Sequence, residues 1–218
     1  MITLKVNSNY RKINRWLLLP SIILFCLYSC EYSLDEKPLS LVSDAAVLSS
    51  PEGFEVYIIG LNQRAREEWL MDDGNYRQMF KATDMYNFAG LEVTEYNNWL
   101  TSVTPQWSVV NNYWNWAYTK MIPQANNIIN YGLDPERQDI WASEDERNEV
   151  IAEAYFFRGW TYNRLANLFG GVPIVDKVSA TPRYDYVRAS RQEVYEFAKD
   201  DLEFASQWLP TTVPSDKD

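Results

Sequence analysis

Residues 143–171 read Ser143-Glu-Asp-Glu-Arg-Asn-Glu-Val-Ile-Ala-Glu-Ala-Tyr-Phe-Phe-Arg-Gly-Trp-Thr-Tyr-Asn-Arg-Leu-Ala-Asn-Leu-Phe-Gly-Gly171, and this stretch decides the fold. Ser143 three residues before Glu146 is a capping box, and Glu144, Asp145 and Glu146 place acids at the positive end of a helix dipole. Val150, Ala154, Phe157, Tyr162, Leu165 and Leu168 carry the apolar pattern as far as Phe169, where Gly170-Gly171 ends it. Small residues (Ala152, Ala154, Gly159, Ala166) lie among large rings. That mixture allows close helix–helix approach and suits stacked helix pairs.

Three further helices are expected around it. One opens at Ser49-Ser50-Pro51-Glu52 and runs to about Leu70, with Phe54, Tyr57, Ile58, Leu61 and Ala65 at helical spacing. A second spans roughly Pro105 to Tyr131, its stripe made of Trp107, Val110, Trp114, Ala117, Met121, Ala125 and Ile128, with Gly132 as the stop. Pro123 falls inside it and should kink or split it, because proline lacks the backbone donor and clashes with the preceding turn. The last begins at the capping box Ser190-Arg-Gln-Glu193 and carries Val194, Phe197, Ala198, Leu202, Ala205 and Leu209 until Pro210. The fold class predicted is all-α, a tetratricopeptide-like helical-hairpin scaffold with long irregular loops. Those loops are residues 71–104, rich in Asn, Gly and aromatics, and residues 170–188 with the extended piece Val172-Pro-Ile-Val175. Insertions of some 30 residues between helices are uncommon without a role.

The amino terminus has a different character. Arg11, Lys12 and Arg15 precede the apolar run Trp16–Tyr28, which ends at Ser29-Cys30. A basic then apolar segment of this length is a secretory signal, short for a bilayer span. Leu27-Tyr-Ser-Cys30 matches a bacterial lipobox, so Cys30 is the expected lipidation site, and multiple acyl chains hold a protein firmly to a membrane. The alternative is an ordinary signal peptide or anchor helix with a chance cysteine. The expected division is therefore a signal peptide over 1–29, an extended lipidated tether over 30–49, and a helical domain over 50–218.

Composition excludes several functions. With the signal removed, the 20 basic residues fall to 16 while all 30 acids stay, so the net charge moves from −10 to −14. Such a surface argues against nucleic acid. Histidine is absent, and Cys26 and Cys30 are the only cysteines. Ser-His-Asp and Cys-His mechanisms and the commonest zinc ligands are thereby removed, and no phosphate-binding glycine loop is present. No cofactor, metal or catalytic residue is expected. A glycosidase built on Asp72-Asp73 or Glu92/Glu95 is weighed and set aside, since neighbouring turn carboxylates are usually just solvated.

Three motifs in this order, behind a lipobox, carry a resemblance. They are Trp114-x3-Tyr118-x3-Ile122-x2-Ala125-Asn126-x-Ile128-Ile129, then Ala152-Glu-Ala-Tyr-Phe-Phe-Arg-Gly-Trp160-x-Tyr162-x2-Leu165-x2-Leu168-Phe-Gly-Gly-Val-Pro173, then Arg188-x-Ser190-x2-Glu193-Val-Tyr195 with Asp201-Leu202, Ala205 and Leu209-Pro210. Together they resemble the N-terminal part of SusD/RagB-family outer-membrane lipoproteins. The resemblance implies a surface-exposed, lipid-anchored protein that binds nutrient oligosaccharides, or sometimes peptides, without being an enzyme. It implies a SusC-like TonB-dependent transporter as partner. Members are typically more than twice this long, so the chain is read as an N-terminal fragment or truncated frame that lacks the family's C-terminal part. A helical-repeat adaptor without its own ligand site is the alternative reading.

The motif residues themselves read as structural: Arg158 should pair with an acid, and Asn126 should tie a loop to a helix. Sugar C–H faces lie on aromatic rings while their hydroxyls seek amides and carboxylates. Segment 71–104 supplies that mixture, and Tyr86, Tyr96, Asn97, Asn98 and Trp99 are the ligand-binding residues expected from the sequence, Trp99 foremost.

Overall fold

The structure, a computed structural model, describes residues 43–70, 106, 108–179, 181 and 183–212. Six α-helices are present among them: α1 (Asp44–Val47), α2 (Pro51–Leu70), α3 (Ser108–Asn115), α4 (Ile122–Gly132), α5 (Glu144–Phe169) and α6 (Arg191–Trp208). A π-helical segment, Trp116–Met121, joins α3 to α4, and a 3-10 turn, Pro135–Ile140, leads from α4 towards α5. No strand occurs among the described residues, and no described helix is long and apolar enough to cross a membrane.

Helices α1, α2, α5 and α6 each start at a serine cap. Ser143 Oγ accepts the amide of Glu146, and Glu146 reaches back to the Ala142 N–H at 2.6 Å. Ser190 and Glu193 form the full reciprocal box. At α2 the cap is Ser50, which accepts from Gly53, rather than Ser49. Ser49 instead donates to Ala46 and closes α1. Residues 43–49 therefore depart from the expected tether: Ser43 caps α1 and Leu48 is fully buried in the core. An apolar side chain at that position gains more from burial than an extended chain would.

Successive helices α2, α4, α5 and α6 run antiparallel. Phe54 and Ile151 sit at the Gly132 end of α4 while Gln124 faces Gly60. Asn126 faces Arg158, and Arg158 in turn faces Asp201. The tetratricopeptide-like hairpin arrangement is thus present, with α5 at its centre. Between α5 and α6 the backbones approach closely because Gly159 has no side chain. A Cβ there would lie 2.8 Å from the Ala198 carbonyl oxygen. The core gathers Phe54, Ile58 and Leu61 of α2, Met121, Ile122, Ala125 and Ile128 around the π junction and α4, Ile151, Tyr162 and Leu165 of α5, and Val194 and Ala198 of α6.

Helical backbone continues through Pro123 from Ser108 to Gly132, with a π segment at Trp116–Met121 in place of a break. The turn before it widens to π geometry, and Ile122 N–H bonds to the Ala117 carbonyl. Widening moves the carbonyl that would meet the proline ring away from it. The extra residue in the turn also rotates the preceding face. Tyr113 and Trp116 become core, whereas Trp114, expected on the buried stripe, is only half-buried. Trp107 lies outside the described residues.

Candidate functional site

The rotated face of α3 and the π segment opens onto a groove of about 760 Å3, closed on its other side by the loop that follows α5. The floor is Trp114, Tyr118, Ile122 and Pro123. Trp114 and Tyr118, four residues apart, pair with ring centroids 4.6 Å apart at 32°, and Phe169 meets Trp114 edge-on at 5.3 Å. The opposite wall is Pro173, Val175, Lys177, Val178, Ser179, Thr181, Arg183 and Tyr186, and Asp44, Asn126 and Asn127 complete the lining.

That wall is clasped to the helices by a set of polar contacts. Gly170 leaves α5 at φ +76°, a conformation that side chains disfavour, and Gly171 passes so near the Ala189 carbonyl that a Cβ would stand 2.1 Å from it. Arg188 then donates to the carbonyls of Phe169 and Gly171 and Arg191 to that of Ala166, and Ala189 N–H bonds to Val172. Further along, Tyr118 donates to Pro173 at 2.6 Å and Asn126 Nδ2 donates to Val175 at 2.8 Å. The Tyr162 hydroxyl accepts from Val175 N–H at 2.7 Å and donates to its carbonyl at 3.2 Å. Burial pushes the Tyr118 and Tyr162 phenols well above the ordinary tyrosine value, so both stay neutral donors.

Arg158 organises this clasp. Its Nε and one terminal nitrogen grip both Asp201 oxygens at 2.7 Å, and the other terminal nitrogen donates to Asn126 Oδ1 at 2.8 Å. The rings of Tyr155 and Phe197 each lie 5.0 Å from the guanidinium. Burial opposes the Arg158 charge, but the bonds to Asp201 outweigh it and hold the group above its ordinary value. Burial likewise pushes the Asp201 carboxyl up, against the pull of Arg158. The bidentate geometry fits an ionised pair, kept charged by the partner and not by solvent. The expected roles of Arg158 and Asn126 as structural ties are what the contacts show.

Tyr86, Tyr96, Asn97, Asn98 and Trp99 lie outside the described residues, as does Cys30. Sequence reasoning missed the groove. The spacing Trp114-x3-Tyr118 puts two rings on one helix face, but without the π turn that face reads as core. Among the described residues no cluster of carboxylates or thiols is arranged to hold a metal ion.

Antiparallel helical hairpins bearing an aromatic-floored groove define a scaffold of the tetratricopeptide-like class. Residues 33–217 match the family model described as SusD-like, starch-binding associating with outer membrane, and the chain belongs to that family. A curated relative, SusD-like protein P2 of Formosa agariphila, is 39% identical over 107 residues, which is 48% of this chain and 20% of that protein. Among solved structures, a SusD-like protein from Bacteroides fragilis superposes with a TM-score of 0.60 at 21% identity, covering 81% of this chain and 32% of that one. A SusD homolog from Bacteroides thetaiotaomicron gives 0.61 at 22%, covering 78% and 32%. A structure solved with xylogluco-oligosaccharide gives 0.58 at 22%, covering 74% and 30%. At these identities the superpositions show the fold alone. The chain spans about a fifth of the curated relative's length (20%) and about a third of the solved structures (30–32%).

Proposed function

We propose that this protein is a lipid-anchored, outward-facing outer-membrane protein that binds oligosaccharides without chemically altering them and passes them to a SusC-like TonB-dependent transporter. The observation that carries the binding reading is the paired Trp114 and Tyr118 rings on the floor of a groove of about 760 Å3. An aromatic platform with amide and hydroxyl groups at the rim suits a sugar ring, whose apolar face needs a flat surface and whose hydroxyls need hydrogen-bond partners. Family membership and the relative solved with xylogluco-oligosaccharide support the same ligand class. Tyr86, Tyr96, Asn97, Asn98 and Trp99 are proposed as a second set of contacts, and Cys30 as the acylated residue.

The test is titration of the full chain in detergent with a panel of oligosaccharides, read by tryptophan fluorescence. Trp114→Ala should weaken binding about tenfold, and Trp114→Phe, which keeps a ring, should restore most of it. Loss on Trp99→Ala with no change on Trp114→Ala would move the site to residues 86–99. Release of sugar products on incubation would overturn the non-enzymatic reading.

A second reading, the adaptor, is favoured by a separate observation. Tyr184 (93%), Val187 (82%), Ile59 (65%) and Val56 (60%) are large apolar side chains left open to solvent, and such residues are what a protein partner covers. Capture of the transporter by a chain that binds no saccharide would select it.

A further inference from the structure

The groove's charged groups are unequally committed. Asp44 at one end accepts from the Tyr57 hydroxyl and from Asn127 Nδ2, so its carboxylate already has two donors. Arg183 is bound by both oxygens of Asp185, at 2.9 and 2.8 Å, and its guanidinium lies 5.3 Å from the Tyr186 ring. Its charge is matched and its planar face is occupied. Lys177 lines the same groove from the opposite wall and is exposed, and no carboxylate stands within ion-pair reach of it among the described residues. A chain with a formal charge of −10 therefore presents, inside its aromatic groove, an ammonium without an acidic partner among the described residues. The wall that carries it is fixed: Val175, two residues earlier, is held by Tyr162 and Asn126, and Asp176 O accepts from Arg158.

We propose that this groove selects anionic oligosaccharides, with the sugar ring on Trp114 and Tyr118 and its acidic substituent, a uronate carboxylate or a sulfate ester, on Lys177. The proposal rests on the glycan-binding reading above. An ammonium is a compact point charge with three rotatable donors, so it accepts either anion without demanding the planar bidentate geometry that arginine imposes. The negative surroundings repel an acidic glycan elsewhere on the chain, which concentrates the attraction at this position.

Calorimetric titration of the full chain in detergent tests this with three probes of equal length. They are trigalacturonate, its fully methyl-esterified form, and a sulfated galactan trisaccharide. At low salt the trigalacturonate or the sulfated probe should bind about fivefold more tightly than the ester, and added salt should shrink that margin. Which of the two leads identifies the anion. Lys177→Met should abolish the margin. Equal affinity for acid and ester, or a margin that survives Lys177→Met, overturns the proposal and leaves glycan binding intact. Binding of a neutral oligosaccharide but none of the three probes also overturns it. A folded chain that binds no saccharide of any kind removes the glycan reading as well.

Discussion

Substituting the two partners of the Arg158–Asp201 pair, singly and together, tests whether the clasp beneath the groove is held by charge. Arg158 is 5% and Asp201 4% exposed, so neither charge can turn to solvent when its partner is removed. Asp201→Leu leaves a buried guanidinium with only Asn126 and a distant carbonyl, and should cost about 3–5 kcal/mol. Arg158→Met leaves a buried carboxylate and should cost a similar amount. The double variant Arg158→Met/Asp201→Leu removes both charges and keeps the apolar stems between Tyr155 and Phe197. Its remaining loss is the Asn126 Oδ1 acceptor, about 1–3 kcal/mol. The double variant should therefore be more stable than either single one. For a chain of this size about 2–4 °C of Tm accompanies each kcal/mol. Thermal unfolding of the full chain, followed by circular dichroism at 222 nm, should place the single variants about 6–20 °C below the parent. The double variant should lie between them and the parent. Additive losses, with the double variant at the sum of the two, would refute the argument that unpaired charge is what the singles suffer.

Three other outcomes follow from the same contacts. Gly159→Ala gains about 1 kcal/mol of helix propensity, yet its methyl would stand 2.8 Å from the Ala198 carbonyl, so the unfolding midpoint should fall, not rise. Tyr162→Phe removes the hydroxyl that serves both the N–H and the carbonyl of Val175. It should cost about 1–3 kcal/mol and speed amide exchange at Val175 in hydrogen-exchange measurements. Hydrogen bonds from Ser190, side chain and backbone, hold the Glu193 carboxyl below the ordinary glutamate value of 4.5. Its folded value is depressed, so the support it gives the start of α6 is present above pH 4.5 and is lost as pH falls through the folded value. Amides at 191–193 should exchange faster across that window, and Glu193→Gln should remove the pH dependence.

The pH argument extends to the interior in the opposite sense. Burial raises the Asp201 carboxyl, so its ionisation contributes no acid-labile stability of the ordinary kind. Its role is to match Arg158, and through Arg158 to keep Asn126 oriented towards Val175. This explains why Arg158 sits amid an apolar helix face. The guanidinium is the only group there that can bind a carboxylate, an amide oxygen and two aromatic faces at once.

Much of this protein was legible in the chain itself, and the reasons are local. The starts of α5 and α6 depend on Ser143 with Glu146 and on Ser190 with Glu193, residues three apart whose bonds need no other part of the molecule. The end of α5 at Gly170 depends on one backbone conformation, and the pairing of helices on small residues such as Gly159. The partner type of Arg158 was also foreseeable, because a buried guanidinium must find a carboxylate or carbonyls. Which carboxylate was not, since Asp201 is 43 residues away. Tertiary structure alone decided the groove. Trp114 lies on a stripe that any straight helix would bury, and only the π turn at Trp116–Met121 rotates Trp114 outward beside Tyr118. The opposite wall comes from a loop some 60 residues further on, held by Tyr118, Asn126 and Tyr162. Helix caps are set by neighbours in sequence, so the chain declares them. A groove is set by which backbone carbonyls remain to be satisfied once helices have packed, and that is known only in three dimensions.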